Sequence, residues 1–172
     1  MSPSWLPDLL LLDNFGGNWD NYLAELYRHY EAYFMKSKPV YNGVRLMVKK
    51  HPFIQGKEAT FWHIISEGSS EEHRIPDLRR CERIRWPKAV IEHNTHPGIK
   101  IWQNRRGSET GICIWFEEKE YLVVLRARTG YILFMTAYPV TQNHSKRKLE
   151  AEYQAYKMAR AALSDGSVTP ST

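Results

Sequence analysis

Apolar positions concentrate between Tyr121 and Val140, in the stretch YLVVLRARTGYILFMTAYPV. β-Branched and aromatic residues dominate two runs, Tyr121–Arg128 and Tyr131–Val140, which Thr129-Gly130 separates. This pattern predicts a central β-hairpin, with Gly supplying the positive φ of a tight turn. Upstream, Ile99–Asn104 alternates, Arg105-Arg106-Gly107-Ser108 reads as a turn, Ile112–Phe116 as a second strand, and Glu117–Glu120 as a turn. Four strands joined by short connections predict an antiparallel meander.

Before the meander the period is helical. Trp19, Leu23, Leu26, Tyr30 and Phe34 share one face of a predicted helix over 19–34, with Asn18 as N-cap and Lys36 to Pro39 as the stop. Val44–Lys49 alternates as a short edge strand, with Val44, Leu46 and Val48 on one side, until His51-Pro52 breaks it. Gly56 then opens a helix over Lys57–Glu67 whose buried face is Phe61, Ile64 and Ile65, so that His63 faces solvent or a cleft. Pro76 and Asp77 suit the first turn of a short helix reaching about Ile84, which Trp86-Pro87 ends. After the meander, Lys146–Leu163 is a helix with Leu149, Tyr153, Tyr156 and Leu163 along one side. Helices before the sheet and one after it make the fold class α+β, in a single domain over residues 1–163. The small polar residues 164–172 are expected to form a flexible tail.

Composition adds boundaries to this picture. A chain of 172 residues, 42% hydrophobic and 13% aromatic, suits one domain with a sizeable core. The net charge of +5 favours an anionic partner, nucleic acid first among them. Cys81 and Cys113 show neither CxxC nor metal-ligand spacing, which suggests a reducing, cytoplasmic setting. The apolar run Leu9–Leu12 is too short for a membrane span and lacks the basic flank of a signal peptide, so no membrane partner is expected.

The sequence contains no Walker loop, GxGxxG, HExxH or GxSxG, which excludes several large enzyme classes and leaves no cofactor or metal expected. What remains is polar side chains on strands that need not carry them: Arg126, Arg128, Thr136 and Tyr138. Buried polar groups must find partners or substrates. Alternation puts Arg126 with Arg128 and Thr136 with Tyr138, and the expectation is that both pairs share one face. Metal-free RNA cleavage needs a base for the 2′-hydroxyl proton, donors for the phosphorane charge and an acid for the leaving 5′-oxygen. His63 and Lys57 from one helix, Arg126 and Arg128 from the third strand, and Thr136 and Tyr138 from the fourth are of suitable types. Each also has a plainer reading: a solvated histidine, arginines paired with carboxylates, and packing residues. Arg74, Arg79, Arg80, Arg83, Arg85 and Lys88 form either a phosphate-binding surface or an internally paired set. Arg106 and His51 are further candidates for contact with nucleic acid.

The closing hairpin, with Arg128 and Tyr131 at Arg-x-x-Tyr spacing and Thr136-Ala137-Tyr138-Pro139 at the strand end, resembles that of a ribonuclease superfamily. This is the metal-independent barnase, EndoU, colicin and RelE superfamily, in its phage-associated branches. Gly56–His63, GKEATFWH, and the Trp102-x-Asn104-x-Arg106-Gly107 segment look similar to parts of such domains. The resemblance covers roughly residues 49–140 and implies endoribonucleolytic activity, often as a toxin in phage defence or competition, with an RNA substrate and a cognate inhibitor protein as partners. It implies an acid or base role for His63, phosphate contacts for Lys57 and Arg128, and sheet-borne active-site roles for Thr136 and Tyr138. No second histidine lies on the predicted sheet, a departure from the two-histidine EndoU pattern. The alternative is a non-catalytic nucleic-acid- or protein-binding module working through Arg79–Arg85.

Overall fold

The computed structural model describes residues 1–165, without the side chains of Arg106 and Asp165; residues 166–172, most of the predicted tail, lie outside the described residues. Helix α1, Trp19–Tyr30, begins where the Asn18 side chain accepts a hydrogen bond from the Asn21 amide at 2.9 Å. It passes into a wider turn over Glu31–Lys36 and buries Tyr22, Leu26, Tyr30 and Phe34. Tyr22 had no place in the predicted stripe, whereas Trp19 and Leu23 lie partly buried at its margin.

The predicted edge strand over 44–49 shrinks to a two-residue hairpin of β1, Val40–Tyr41, and β2, Val44–Arg45. Leu46 leaves it for the core, and Met47 bonds elsewhere, donating to Ile132 O and accepting from the Phe134 amide, both at 2.8 Å. Helix α2, Ala59–Ile65, is shorter than predicted at both ends. Glu58 is extended in front of it, and Ser66–Glu67 behind it is a short strand, β3, paired with β4, Ile75–Pro76. Pro76 is therefore a strand residue, and it is Asp77 that caps α3, Leu78–Glu82, accepting from the Arg79 amide at 2.9 Å. Trp86-Pro87 starts a helix rather than ending one: α4 runs Trp86–Glu92 with proline in its first turn, where its missing N–H leaves nothing unpaired.

The meander forms in the predicted order, with β5 (Ile99–Arg106), β6 (Glu109–Phe116), β7 (Tyr121–Arg128) and β8 (Tyr131–Pro139) antiparallel in sequence. Arg105 and Arg106, expected in a turn, extend β5 instead, and the turn tightens to Gly107-Ser108. One face carries Ile112, Ile114, Val123, Leu125 and Phe134 into a core shared with α1, α2 and α4. The other carries Trp102, Trp115 and Leu122 against Leu149, Tyr153 and Tyr156 of α5, Asn143–Asp165. Leu163, placed on that stripe by spacing, is exposed because α5 runs past the sheet. Lys100 fastens the helix: its Nζ lies 2.6 Å from both Glu117 and Glu150, beneath the Trp115 and Tyr153 rings. No helix among the described residues is long and apolar enough to cross a membrane.

Tyr30 is fully buried, its ring stacked on Phe34 at 5.4 Å, and its hydroxyl finds no partner among the described residues. An unpaired buried hydroxyl is destabilising, so Tyr30→Phe is expected to stabilise the protein by about 1 kcal/mol. The change would appear as a higher urea midpoint at unchanged slope. A lower midpoint would mean that the hydroxyl is bonded.

Candidate functional site

Helix α5 packs over β5 and leaves the rest of its sheet face open toward α3. The gap is a cleft of about 710 Å³ whose floor includes Leu122, Val124, Arg126, Thr136 and Tyr138. Pairing explains the floor: Leu122 opposes Tyr138, Val124 opposes Thr136 and Arg126 opposes Leu133, so Arg126, Thr136 and Tyr138 share one face. A bulge makes this so. Phe134 and Thr136 are two apart and strict alternation would align them, but the register shift after Val124 sends Phe134 into the core and Thr136 into the cleft.

Arg126 pairs with Glu109 at 2.7 Å and still reaches the cleft. Tyr138 lies beneath the Arg80 guanidinium, 5.0 Å from its ring centre. Arg80 also donates to the carbonyls of His63 and Ser66, at 3.2 and 3.1 Å, and the Thr136 hydroxyl donates to the same His63 carbonyl at 3.0 Å. Thr136 and Arg80 thereby hold α2 and β3 against the sheet. Arg79 completes this wall, its Nη1 3.5 Å from the Thr141 hydroxyl.

The other predicted residues are not brought here. His63 contributes only its carbonyl; its ring Nε2 lies 2.8 and 2.9 Å from the two Glu71 carboxylate oxygens, outside the cleft. Lys57 sits over the Tyr27 ring and donates to Gln55 O, and His51 packs edge-on to Phe53. Arg128 lies at the hairpin end, 3.0 Å from Glu109 and 3.5 Å from the Tyr131 hydroxyl. The arginine cluster divides: Arg79 and Arg80 line the cleft, whereas Arg83 bonds Arg79 O and covers Trp86, and Arg85 bonds Asp8 O. The Arg106 side chain lies outside the described residues.

Burial holds the His63 imidazole below the ordinary histidine range, with the Glu71 hydrogen bond working the other way. For Glu71, burial is outweighed by the His63 bond and by nearby positive charge, and its carboxyl lies below the ordinary range. A histidine whose folded-state value is depressed is neutral when folded, so the unfolded chain takes up the proton first and stability falls as pH drops below about 6.5. His63→Gln is expected to lose less stability than wild type between about pH 7 and pH 5, measured by urea unfolding. An unchanged pH slope would show that His63 is not depressed.

Helix α5, which starts at Asn143 rather than Lys146, brings residues that the sequence analysis did not single out. His144, Lys148 and Glu152 line the cleft at i, i+4, i+8 spacing, one position before the apolar Leu149 and Tyr153. That polar stripe beside the apolar one was the available signal. Glu152 is fixed, accepting from Trp102 Nε1 at 3.1 Å and from Asn104 Nδ2 at 3.5 Å. Gly111 makes room for this amide, since a Cβ there would lie 2.2 Å from Asn104 Oδ1. Among the described residues no three His, Cys, Asp or Glu side chains gather to hold a metal ion.

The cleft thus offers Arg79, Arg80, Arg126 and Lys148 to an anion, offset in part by Glu67, Asp77 and Glu152. Compared with family models, curated proteins and solved structures, the chain matches none of them.

Proposed function

We propose that the protein is a metal-independent endoribonuclease that cleaves RNA in the cleft between α3, α5 and the sheet. The observation that carries this reading is that Arg79, Arg80 and Arg126 line one open concavity together with Thr136 and Tyr138. Cationic donors around a phosphodiester stabilise the charge that develops as the 2′-oxygen attacks phosphorus. Arg79 and Arg126 are the phosphate contacts, the Tyr138 hydroxyl is the donor nearest the reacting centre, and Thr136 holds the floor in register. Such an enzyme would act on cytoplasmic RNA as a toxin, restrained by an inhibitor protein.

The test is incubation of purified full-length protein with labelled transfer and ribosomal RNA in excess EDTA. The expected result is cleavage leaving 2′,3′-cyclic phosphate and 5′-hydroxyl ends. Intact RNA throughout would overturn the reading. If RNA is bound with steep salt dependence yet never cut, the protein is a binding module instead.

A further inference from the structure

Resting on the ribonuclease reading, we propose that α5 supplies the missing half of the site: His144 takes the 2′-hydroxyl proton, and Lys148 is a second phosphate contact. His63, the imidazole singled out in sequence, has its ring committed to Glu71 outside the cleft. Among the described histidines, His144 alone lines the cleft. It is exposed on the wall formed by α5, across from the floor that carries Arg126, Thr136 and Tyr138. Lys148 follows one helical turn along, about 6 Å further down the same wall. Neither side chain is tied by a hydrogen bond or ion pair among the described residues, in contrast to Arg80 and Glu152, whose bonds hold them in place.

Imidazole suits the task because it exchanges a proton near neutral pH. In the step, the 2′-oxygen bonds to phosphorus as the P–O5′ bond breaks. The 2′-hydroxyl proton passes to neutral His144, and the departing 5′-oxygen takes a proton from water. The imidazolium then returns its proton to the hydroxide so formed, which leaves a cyclic phosphate and a 5′-hydroxyl.

Steady-state cleavage of a fluorescent RNA oligonucleotide by full-length wild type, His144→Ala, His144→Gln and Lys148→Ala tests this. Both His144 variants are expected to lose kcat by about 100-fold or more at little-changed KM, which is the scale of a lost proton-transfer group. Free imidazole in the buffer should restore part of the His144→Ala rate, a rescue that a merely structural residue would not show. Lys148→Ala should raise KM. An active wild type with unimpaired His144 variants would overturn this inference and leave the ribonuclease reading standing. An inert wild type would overturn both. Circular dichroism checks folding, and His144→Gln, polar and helix-compatible, serves where alanine disturbs α5.

Discussion

Arg126→Ala is expected to cut RNA cleavage by about 100-fold or more while leaving the fold intact, the scale seen when one donor to a developing charge is removed. Arg126 is held so that its loss spares the fold. Its partner Glu109 is also bound by Arg128 at 3.0 Å, so loss of Arg126 leaves that carboxylate paired. A partly exposed pair of this kind contributes at most about 1 kcal/mol to stability. Arg128→Ala is the matched control, sharing Glu109 but lying at the hairpin end, and should cleave much as wild type does. Equal losses in the two variants would move the site from the cleft to the hairpin end. Comparison of kcat/KM with thermal melting separates the outcomes.

Trp115→Ala is expected to destabilise the protein by about 3–5 kcal/mol, as for other large-to-small core changes. The ring is buried between β6 and α5, 6.3 Å from Trp102, with Lys100 Nζ 5.3 Å from its centre. Removing it opens a void under the helix and takes away the ring face against which Lys100 rests. Trp115→Phe should cost far less than alanine. The Trp115 Nε1 is buried without a hydrogen-bond partner among the described residues, so phenylalanine keeps most of the packing and removes an unpaired donor. Urea unfolding gives both values, and a phenylalanine variant as unstable as alanine would mean that the indole N–H is bonded. Because α5 forms one wall of the cleft, amide exchange in α5 should rise in Trp115→Ala before exchange in β6 and β7 does.

The meander was legible in sequence because each of its strands carries its own period and each turn its own punctuation. Gly130, at φ +83°, closes the hairpin as composition implied. Short elements were not legible: β1 with β2 and β3 with β4 are two-residue pairings, set by what Leu46, Met47 and Asp77 bond at a distance. Trp86-Pro87 misled for a related reason, since proline both ends helices and begins them, and only the end of α3 at Glu82 decides which. At the site, alternation correctly grouped Thr136 with Tyr138 but could not foresee the bulge that turns Thr136 away from Phe134. Helix geometry set His63 opposite the buried face of α2, facing solvent or a cleft, but its side chain is only 13% exposed and lies closed against Glu71 outside the cleft. That a carboxylate from the following loop would occupy its ring did not follow from that geometry, because Glu71 lies eight residues on, across a chain reversal.

The central claim is that RNA occupies the cleft beneath α5. Titrating isotope-labelled protein with a short oligonucleotide lacking the attacking 2′-hydroxyl, and following backbone and side-chain resonances, tests it most directly. Perturbations should concentrate at Arg79, Arg126, Thr136, Tyr138 and the 144–148 turn of α5. Perturbations confined to His51, Lys57 and the His63 ring, with the cleft residues unmoved, would contradict it.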